Sequence, residues 1–477
     1  MATDIAKSRI LVVGGGYVGM YAALRLQKKL RPGEATVTVV DPQPNMTYQP
    51  FLPEAATGSI EARHVVVPLR RVLRRSEVLA ATVESVDHDR RVATLRPDEG
   101  EAFDLPYDVL VMAPGSVSRA LPVPGLAEVG VGFKTIGEAI HLRNHILSRL
   151  DLASTTDDED LRRKALTFVF VGGGYSGVEA FAELEDMSRH ALGFYPGLSP
   201  SDMRWVLVEA TGRILPEVGE SLGEYTVERL RDRGMEIHLH TTVESMVDGR
   251  VVLSDGEELD AGTVVWTAGV KANPVASRSG LPVDHTGRIV CEPDLRIRGL
   301  TNAWSAGDTA AVPDLSKNEP GALCAPSAQH AVRQAKRLAD NVVAVMRGRN
   351  PRPYIHADVG SVASLGLYKG VAEVYGVRLR GFPAWFMHRG YHLSRVPTLS
   401  HKARVCADWA MALLFGREVV SLGQVEHPRR EWESAALAQA SGPIQCEPRG
   451  RERRRGRHEI RGSEDGGAYP YAERRRS

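Results

Sequence analysis

Apolar and polar positions along the chain repeat one arrangement twice. A short apolar run, Ile10 to Val13, enters Gly14-Gly15-Gly16-Tyr17-Val18-Gly19 and then a helix-like run. Leu166 to Val171 enters Gly172-Gly173-Gly174-Tyr175-Ser176-Gly177 in the same way, and a helix-like run opens at Val178. Gly14 and Gly172 lie 158 positions apart. Each unit has a second apolar strand ending in an acid. Thr36 to Val40 ends in Asp41, 22 residues beyond Gly19, and Arg204 to Val208 ends in Glu209, 32 residues beyond Gly177. The wider gap in the second copy implies an insertion, placed at the Gly193–Pro200 loop. Each unit also has a later strand ending in small residues: Tyr107 to Met112 into Ala113-Pro114-Gly115, and Thr263 to Thr267 into Ala268-Gly269-Val270. Ala113 lies 99 positions after Gly14 and Ala268 lies 96 after Gly172. The expectation is an α/β fold with two Rossmann-like dinucleotide-binding domains.

One GxGxxG by itself is as often a tight turn. Two copies, each with a strand before and a helix and an acid after, read as dinucleotide loops. Gly14 and Gly172 allow the turn, Gly16 and Gly174 let backbone approach a pyrophosphate, and Gly19 and Gly177 let helix pack on strand. Asp41 and Glu209 are placed to hold ribose hydroxyls. The turns at Gly115 and Gly269 let the chain pass close to a bound cofactor, a plain β-turn being the alternative.

Between these units, the prolines of 41–53 read as a loop, Val78 to Asp87 as one strand, and Leu121 to Gly125 as a domain crossing. Residues 133–155 read as a helix, Asp157 to Asp160 as a capped surface loop, Leu222 to Gly234 as an amphipathic helix, and Asp255-Gly256 as the turn of a hairpin. Leu300 to Asp308 reads as a strand ending in Gly307-Asp308. That carboxylate suits a ribityl chain, with a helix N-terminus following; an Asx-turn or N-cap is the other reading.

The 477 residues allow two to four domains, and a net charge of +1 argues against nucleic acid as a partner. Cys291, Cys324, Cys406 and Cys446 form no close pair, which excludes a zinc ribbon and makes a reducing compartment the default. No signal peptide or spanning run is legible. Residues 382–417 mix Phe382, Trp385, Phe386, Arg389, Tyr391, Arg395, Lys402, Arg404, Trp409, Phe415 and Arg417, with Val405, Trp409 and Leu413 at helical spacing. The segment reads as an amphipathic helix at a membrane interface, or as a helix packed on the protein or a dimer partner. Residues 427–477 hold 12 Arg and 8 acidic residues without apolar periodicity and read as a disordered tail.

The full motif set resembles that of flavoproteins binding two dinucleotides, and within them the type II NADH dehydrogenases, single-subunit NADH:quinone oxidoreductases that do not pump protons. Phe133 to Ala139, Val208 to Pro216, Trp266 to Val270 and Ser327 to Gln334 carry the resemblance, which runs from about Arg9 to Arg417. It implies FAD at Gly14, Gly16, Gly19 and Asp41, closed by Gly307 and Asp308, and NADH at Gly172, Gly174, Gly177 and Glu209. A carboxylate at Glu209 favours NADH over NADPH, although Arg213 nearby keeps NADPH open.

The implied organisation is an FAD domain of 1–120 and 275–335, an NADH domain of 121–274, a membrane-associating C-terminal region of 336–426, and the tail. By the same resemblance Glu179 sits near flavin and quinone and relays protons; from sequence alone it is a first-turn acid favouring the helix dipole. Gln329, with Gln334 beside Arg333 where the family often has its second glutamine, is the implied quinone contact. Lys369 matches a lysine near the quinone end, or is a solvated lysine; His330 reads as packed or surface. Quinone and a membrane lipid surface are the implied partners, at the cytoplasmic face of the cell membrane, with a homodimer left open. The alternatives are a ferredoxin- or rubredoxin-type reductase, a sulfide:quinone oxidoreductase, and an NADH-sensing flavoprotein signalling to a protein.

Overall fold

The computed structural model describes residues 7–317, 319–356, 360–423, 429–430 and 432–434. The described residues up to Gly423 form one compact unit, and the fold below is theirs. The tail expected over 427–477 lies almost wholly outside the described residues.

The repeated apolar runs become the centres of two five-stranded sheets. The first has the order Ala303–Ser305, Val109–Met112, Ser8–Val13, Ala35–Asp41, Glu77–Ala80, all parallel. The second has the order Gly130–Val131, Thr263–Trp266, Thr167–Val171, Arg204–Val208, Glu236–His238, also all parallel. Every residue of Val109–Met112 and Thr167–Val171 is buried. A parallel sheet covered on both faces requires such unbroken apolar strands. Each half also carries a three-stranded antiparallel sheet, formed by Thr82–Asp87, Val92–Arg96 and Phe103–Pro106 in one and by Val243–Ser245, Arg250–Leu253 and Glu258–Asp260 in the other. The hairpin expected at Asp255-Gly256 is the tip of the latter. The two chain crossings between the halves pair with each other: Ser116–Ser118 runs antiparallel to Val270–Ala272.

Several expectations are corrected. The strand expected over Val78 to Asp87 is two strands: Glu77–Ala80 extends the parallel sheet, and Thr82–Asp87 starts the antiparallel one. The apolar pattern continues through Ala81, but the hydrogen-bonding partner changes there. Two of the prolines of 41–53 start structure rather than block it, while Pro42 and Pro44 lie in the bend after Asp41. Pro50 and Pro53 occupy first-turn positions of Gln49–Phe51 and Leu52–Ala56, where no N–H is needed. Asp158 caps a real helix, Glu159–Ala165, accepting from the N–H groups of Asp160 and Leu161 at 3.0 Å each. The expected helix over 133–155 is Ile136–Thr155, fixed by a capping box of Thr135 and Glu138. The ten extra residues of the second copy are shared between a longer helix (Tyr175–Ala191 against Tyr17–Lys29) and the loop after it.

The boundary drawn at 335 falls inside the helix Ala328–Met346, which packs along Tyr17–Lys29. Beyond it the C-terminal region contains a three-stranded antiparallel sheet, Gly360–Ser364, Gly370–Val374 and Val377–Arg380, where only helices were expected. Two helices follow, Phe382–Arg395 and Leu399–Phe415, the first packed on that sheet. Among the described residues no helix is long and apolar enough to cross a membrane.

Candidate active site

The two glycine loops are built alike. Gly14 and Gly172 take φ of +95° and +113°, a left-handed region open to glycine at little cost. A side chain on Gly14 would collide with the Ala113 carbonyl, and one on Gly172 with the backbone of Thr267. Side chains on Gly19 and Gly177 would collide with the carbonyl oxygens of Gly14 and Gly172. Gly16 and Gly174 differ: nothing lies within 4 Å of where their side chains would be. The same open space surrounds Gly115 and Gly269. Each loop is therefore packed tightly against its own strand and helix and left bare on the side where a helix N-terminus points.

The acids follow the same symmetry. Asp41 Oδ2 accepts from the Gly15 N–H at 2.7 Å, and Oδ1 accepts from the Gln43 N–H at 2.7 Å. Burial pushes the Asp41 carboxyl above its usual value despite these two bonds. Glu209 Oε2 accepts from the Gly173 N–H at 2.6 Å, while Oε1 takes the Thr211 N–H and hydroxyl at 2.8 Å each. The Arg213 guanidinium donates to the carbonyls of Pro216 and Val218, at 2.8 and 2.6 Å.

Gly307 and Asp308 lie between the halves of this arrangement, but no α-helix begins there. A single 3-10 turn, Gly307–Thr309, leads straight into the strand Ala310–Ala311. Ser116 donates to Asp308 Oδ2 at 2.7 Å, and Lys134 Nζ donates to the Ser116 hydroxyl at 2.6 Å. Burial lowers the Lys134 ammonium below its usual value, against the pull of Asp308 and Glu138. The Thr309 hydroxyl is buried without a partner. Sequence reasoning assigned Lys134 and Ser116 no role, although Lys134 stands in one of the stretches that carry the family resemblance.

The glutamines face protein. Gln334 is buried, and its Oε1 accepts from the Gly307 N–H at 2.8 Å. Gln329 donates to the Gly360 carbonyl at 2.9 Å and accepts from Arg333 at 3.2 Å. His330 is packed, its Nδ1 2.9 Å from the Tyr354 hydroxyl. Lys369 Nζ reaches Asp186 Oδ1 at 3.2 Å.

Glu179 is the fifth residue of the helix Tyr175–Ala191, past the first turn, so the macrodipole reading of it does not hold. It is 7% exposed, accepts from the Ser364 N–H at 2.9 Å, and has His388 Nε2 3.1 Å from its Oε1. One turn on, Glu183 accepts from the Ser364 hydroxyl at 2.7 Å and faces Arg417 at 3.4 Å. Burial raises the Glu183 carboxyl above its usual value, with Arg417 opposing. Glu54 completes the cluster, held by Arg389 at 2.9 Å and by the Trp409 indole N–H at 2.6 Å. The Arg389 guanidinium lies over both indoles, 4.2 Å from the Trp385 ring centre and 4.7 Å from that of Trp409. Trp385, Arg389 and Trp409, expected at a membrane interface, thus form an inward-facing cluster, and Val405 is buried too. The exposed apolar residues of the last helix are instead Leu399 at its start and Met411, Leu413, Leu414 and Phe415 at its end.

A further cluster, Glu236, His238 and Glu257, brings potential metal-ligand atoms within 4.8 Å of one another. Arg204 already lies there, 2.7 Å from Glu236 and 2.6 Å from Glu257, and supplies the positive charge. Cys291, Cys324 and Cys406 are free thiols, so no redox disulfide occurs among the described residues.

Two parallel sheets, each with a bare glycine loop and an acid at the next strand's end, define a scaffold for two dinucleotides. The pyridine nucleotide-disulphide oxidoreductase family matches residues 8–335. The type II NADH:quinone oxidoreductase Ndh of Mycobacterium tuberculosis is 30% identical over 425 residues, covering 86% of this chain and 89% of that protein. The type II NADH:quinone oxidoreductase of Staphylococcus aureus is 31% identical over 396 residues, covering 82% and 94%. The NDH2 structure from Plasmodium falciparum in complex with NADH superposes with a TM-score of 0.80 at 17% identity, over 87% of this chain and all of that one. The chain belongs to the pyridine nucleotide-disulphide oxidoreductases and, among them, to the type II NADH:quinone oxidoreductases. The expected fold class and the NADH:quinone oxidoreductase assignment therefore stand.

Proposed function

We propose that this enzyme binds FAD on the first glycine loop and NADH on the second, and reduces a membrane quinone without pumping protons. The observation that carries this is the matched pair of loops, with Gly16 and Gly174 bare and Asp41 and Glu209 at equivalent strand ends. Bound FAD supplies the redox chemistry, taking hydride from NADH and passing two electrons to quinone. Asp41 holds the adenosine ribose of FAD, and the Lys134–Ser116–Asp308 chain and the free Thr309 hydroxyl offer polar groups to its other end. Glu209 holds the ribose of NADH. With Arg213 committed to Pro216 and Val218, a carboxylate is left to meet a 2′-phosphate, which favours NADH.

The FAD domain corresponds to 1–120 and 275–335, extended through the helix that ends at Met346, and the NADH domain to 121–274. Gln334 acts by fixing Gly307, while Gln329 stands beside Gly360 at one end of the C-terminal sheet and Lys369 in the turn at its other end, the two residues implied as quinone contacts. The exposed Leu414 and Phe415, 72% and 77% accessible, together with Phe382 and Phe386, form the surface that rests on the cytoplasmic face of the membrane.

The test is anaerobic. NADH added to the purified flavoprotein bleaches the flavin, and a soluble quinone then restores its colour at turnover rates. A flavin that NADH bleaches and quinone leaves reduced means a protein acceptor. A protein that binds no flavin refutes the assignment of the first loop.

A further inference from the structure

Three carboxylates, Glu54, Glu179 and Glu183, are buried together where the C-terminal region meets the helix Tyr175–Ala191. Buried carboxylates need a counter-charge. Glu54 has Arg389 and Glu183 has Arg417, both permanently charged. Glu179 has His388, the one partner of the three that can give up its proton near neutrality. His388 is 1% exposed. Glu179 lies about 8 Å along the helix from Gly174, one turn nearer the second glycine loop than Glu183.

We propose that His388 is a positioning residue for quinone reduction, holding on Glu179 the proton that the reaction takes up. This rests on the NADH:quinone reading above. One turnover converts NADH, one proton and quinone to NAD⁺ and quinol. The proton moves from His388 Nε2 to Glu179 Oε1 and on towards the quinone oxygen, leaving a neutral imidazole. The proton is then replaced at His388. The His392 ring stands edge-on to His388, 4.5 Å between centres, and His392 Nδ1 is 3.2 Å from the Tyr48 hydroxyl.

The charged groups around the pair fit this. Burial works to lower the His388 imidazole, but Glu179, with Glu54 and Glu183 behind it, outweighs burial and holds His388 above the usual histidine value. Desolvation and the charge on His388 hold His392 well below that value, so of the two neighbouring imidazoles His388 is the one that carries the proton. Arg389 and Arg417 are engaged by Glu54 and by Glu183 and Asp186.

The experiment uses the FAD-loaded full chain and a soluble short-chain quinone. NADH bleaching and quinone re-oxidation are followed separately by anaerobic stopped flow across neutral pH. In the wild type, re-oxidation falls as pH rises through one step above ~6.5. His388→Gln abolishes the step and slows re-oxidation roughly ten- to hundred-fold, while bleaching by NADH reports an intact fold. His388→Arg restores the charge without a transferable proton, and it stays slow. An unchanged pH profile in His388→Gln, or a wild-type profile in His388→Arg, overturns the proposal. A wild type that quinone cannot re-oxidise refutes the functional reading instead.

A readout independent of turnover uses ¹⁵N-histidine-labelled wild type. One imidazole stays doubly protonated above ~6.5, and its midpoint drops in Glu179→Gln. If no histidine signal responds to Glu179→Gln, the pair does not share the proton.

Discussion

The Gly173 N–H donates to Glu209 Oε2 at 2.6 Å, tying the second glycine loop to the acid at the end of the neighbouring strand. The same bond joins Gly15 to Asp41 in the first sheet. Each acid is thus fixed beside its glycine loop, at the position proposed for a ribose. Glu209→Gln keeps the size and removes the charge. A charge-assisted hydrogen bond contributes about 1.5–3 kcal/mol, so kcat/KM for NADH is expected to fall roughly 10- to 100-fold. The NADPH-to-NADH ratio of kcat/KM, measured in parallel, should rise.

Gly174→Ala and Gly19→Ala separate ligand contact from packing. The Gly174 side-chain position is empty of protein, so Gly174→Ala folds normally and weakens NADH by about 1–3 kcal/mol, the usual cost of overpacking. Gly19→Ala drives a methyl into the Gly14 carbonyl and should lower both Tm and bound flavin. Titration with NADH and the flavin absorbance of the purified variants read the two effects. Unaltered NADH affinity in Gly174→Ala would place the nucleotide elsewhere.

Arg389→Met leaves Glu54 buried with only the Trp409 N–H and removes both cation–π contacts. Breaking a buried pair from one side costs about 3–5 kcal/mol. Thermal unfolding should show a large drop in Tm, and Arg389→Met/Glu54→Met should recover most of it.

Acid stability tests the tie between the loop after Tyr17–Lys29 and the end of Ala328–Met346. The Arg347 guanidinium, 2.7 Å from Glu34, and the Arg31 N–H hold the Glu34 carboxyl down at about 2, from a usual 4.5. A depressed folded value means stability present above pH 4.5 and lost as pH falls towards 2. The difference between wild type and Arg347→Met, about 1 kcal/mol for a partly exposed pair, is expected at pH 6 and should shrink as pH falls, vanishing only below ~2. Denaturant unfolding at both pH values measures it.

The proposed membrane surface is tested with Leu414→Ser/Phe415→Ser. Each apolar side chain withdrawn from lipid is worth about 1.5–3 kcal/mol. Vesicle affinity, read by co-sedimentation, should fall by at least about 100-fold for the pair, with Tm unmoved. Trp409→Phe, by contrast, should act on Tm through Glu54 and leave vesicle binding in place.

The sequence by itself determined the two glycine loops, their strands and their acids, because each is a local pattern: a parallel strand buried on both faces reads as an apolar run, and a phosphate turn reads as glycine at fixed spacing. It also determined the duplication, through the matching distances from Gly14 to Ala113 and from Gly172 to Ala268. Only the tertiary structure decided which face of each late helix is turned inward. Trp385, Arg389 and Trp409 have the composition of an interface helix, yet Glu54, more than 300 positions earlier, draws them into the protein. His388 beside Glu179 was illegible for the same reason. A histidine's role depends on the charge brought to it across 209 positions of chain, and no local spacing encodes that meeting.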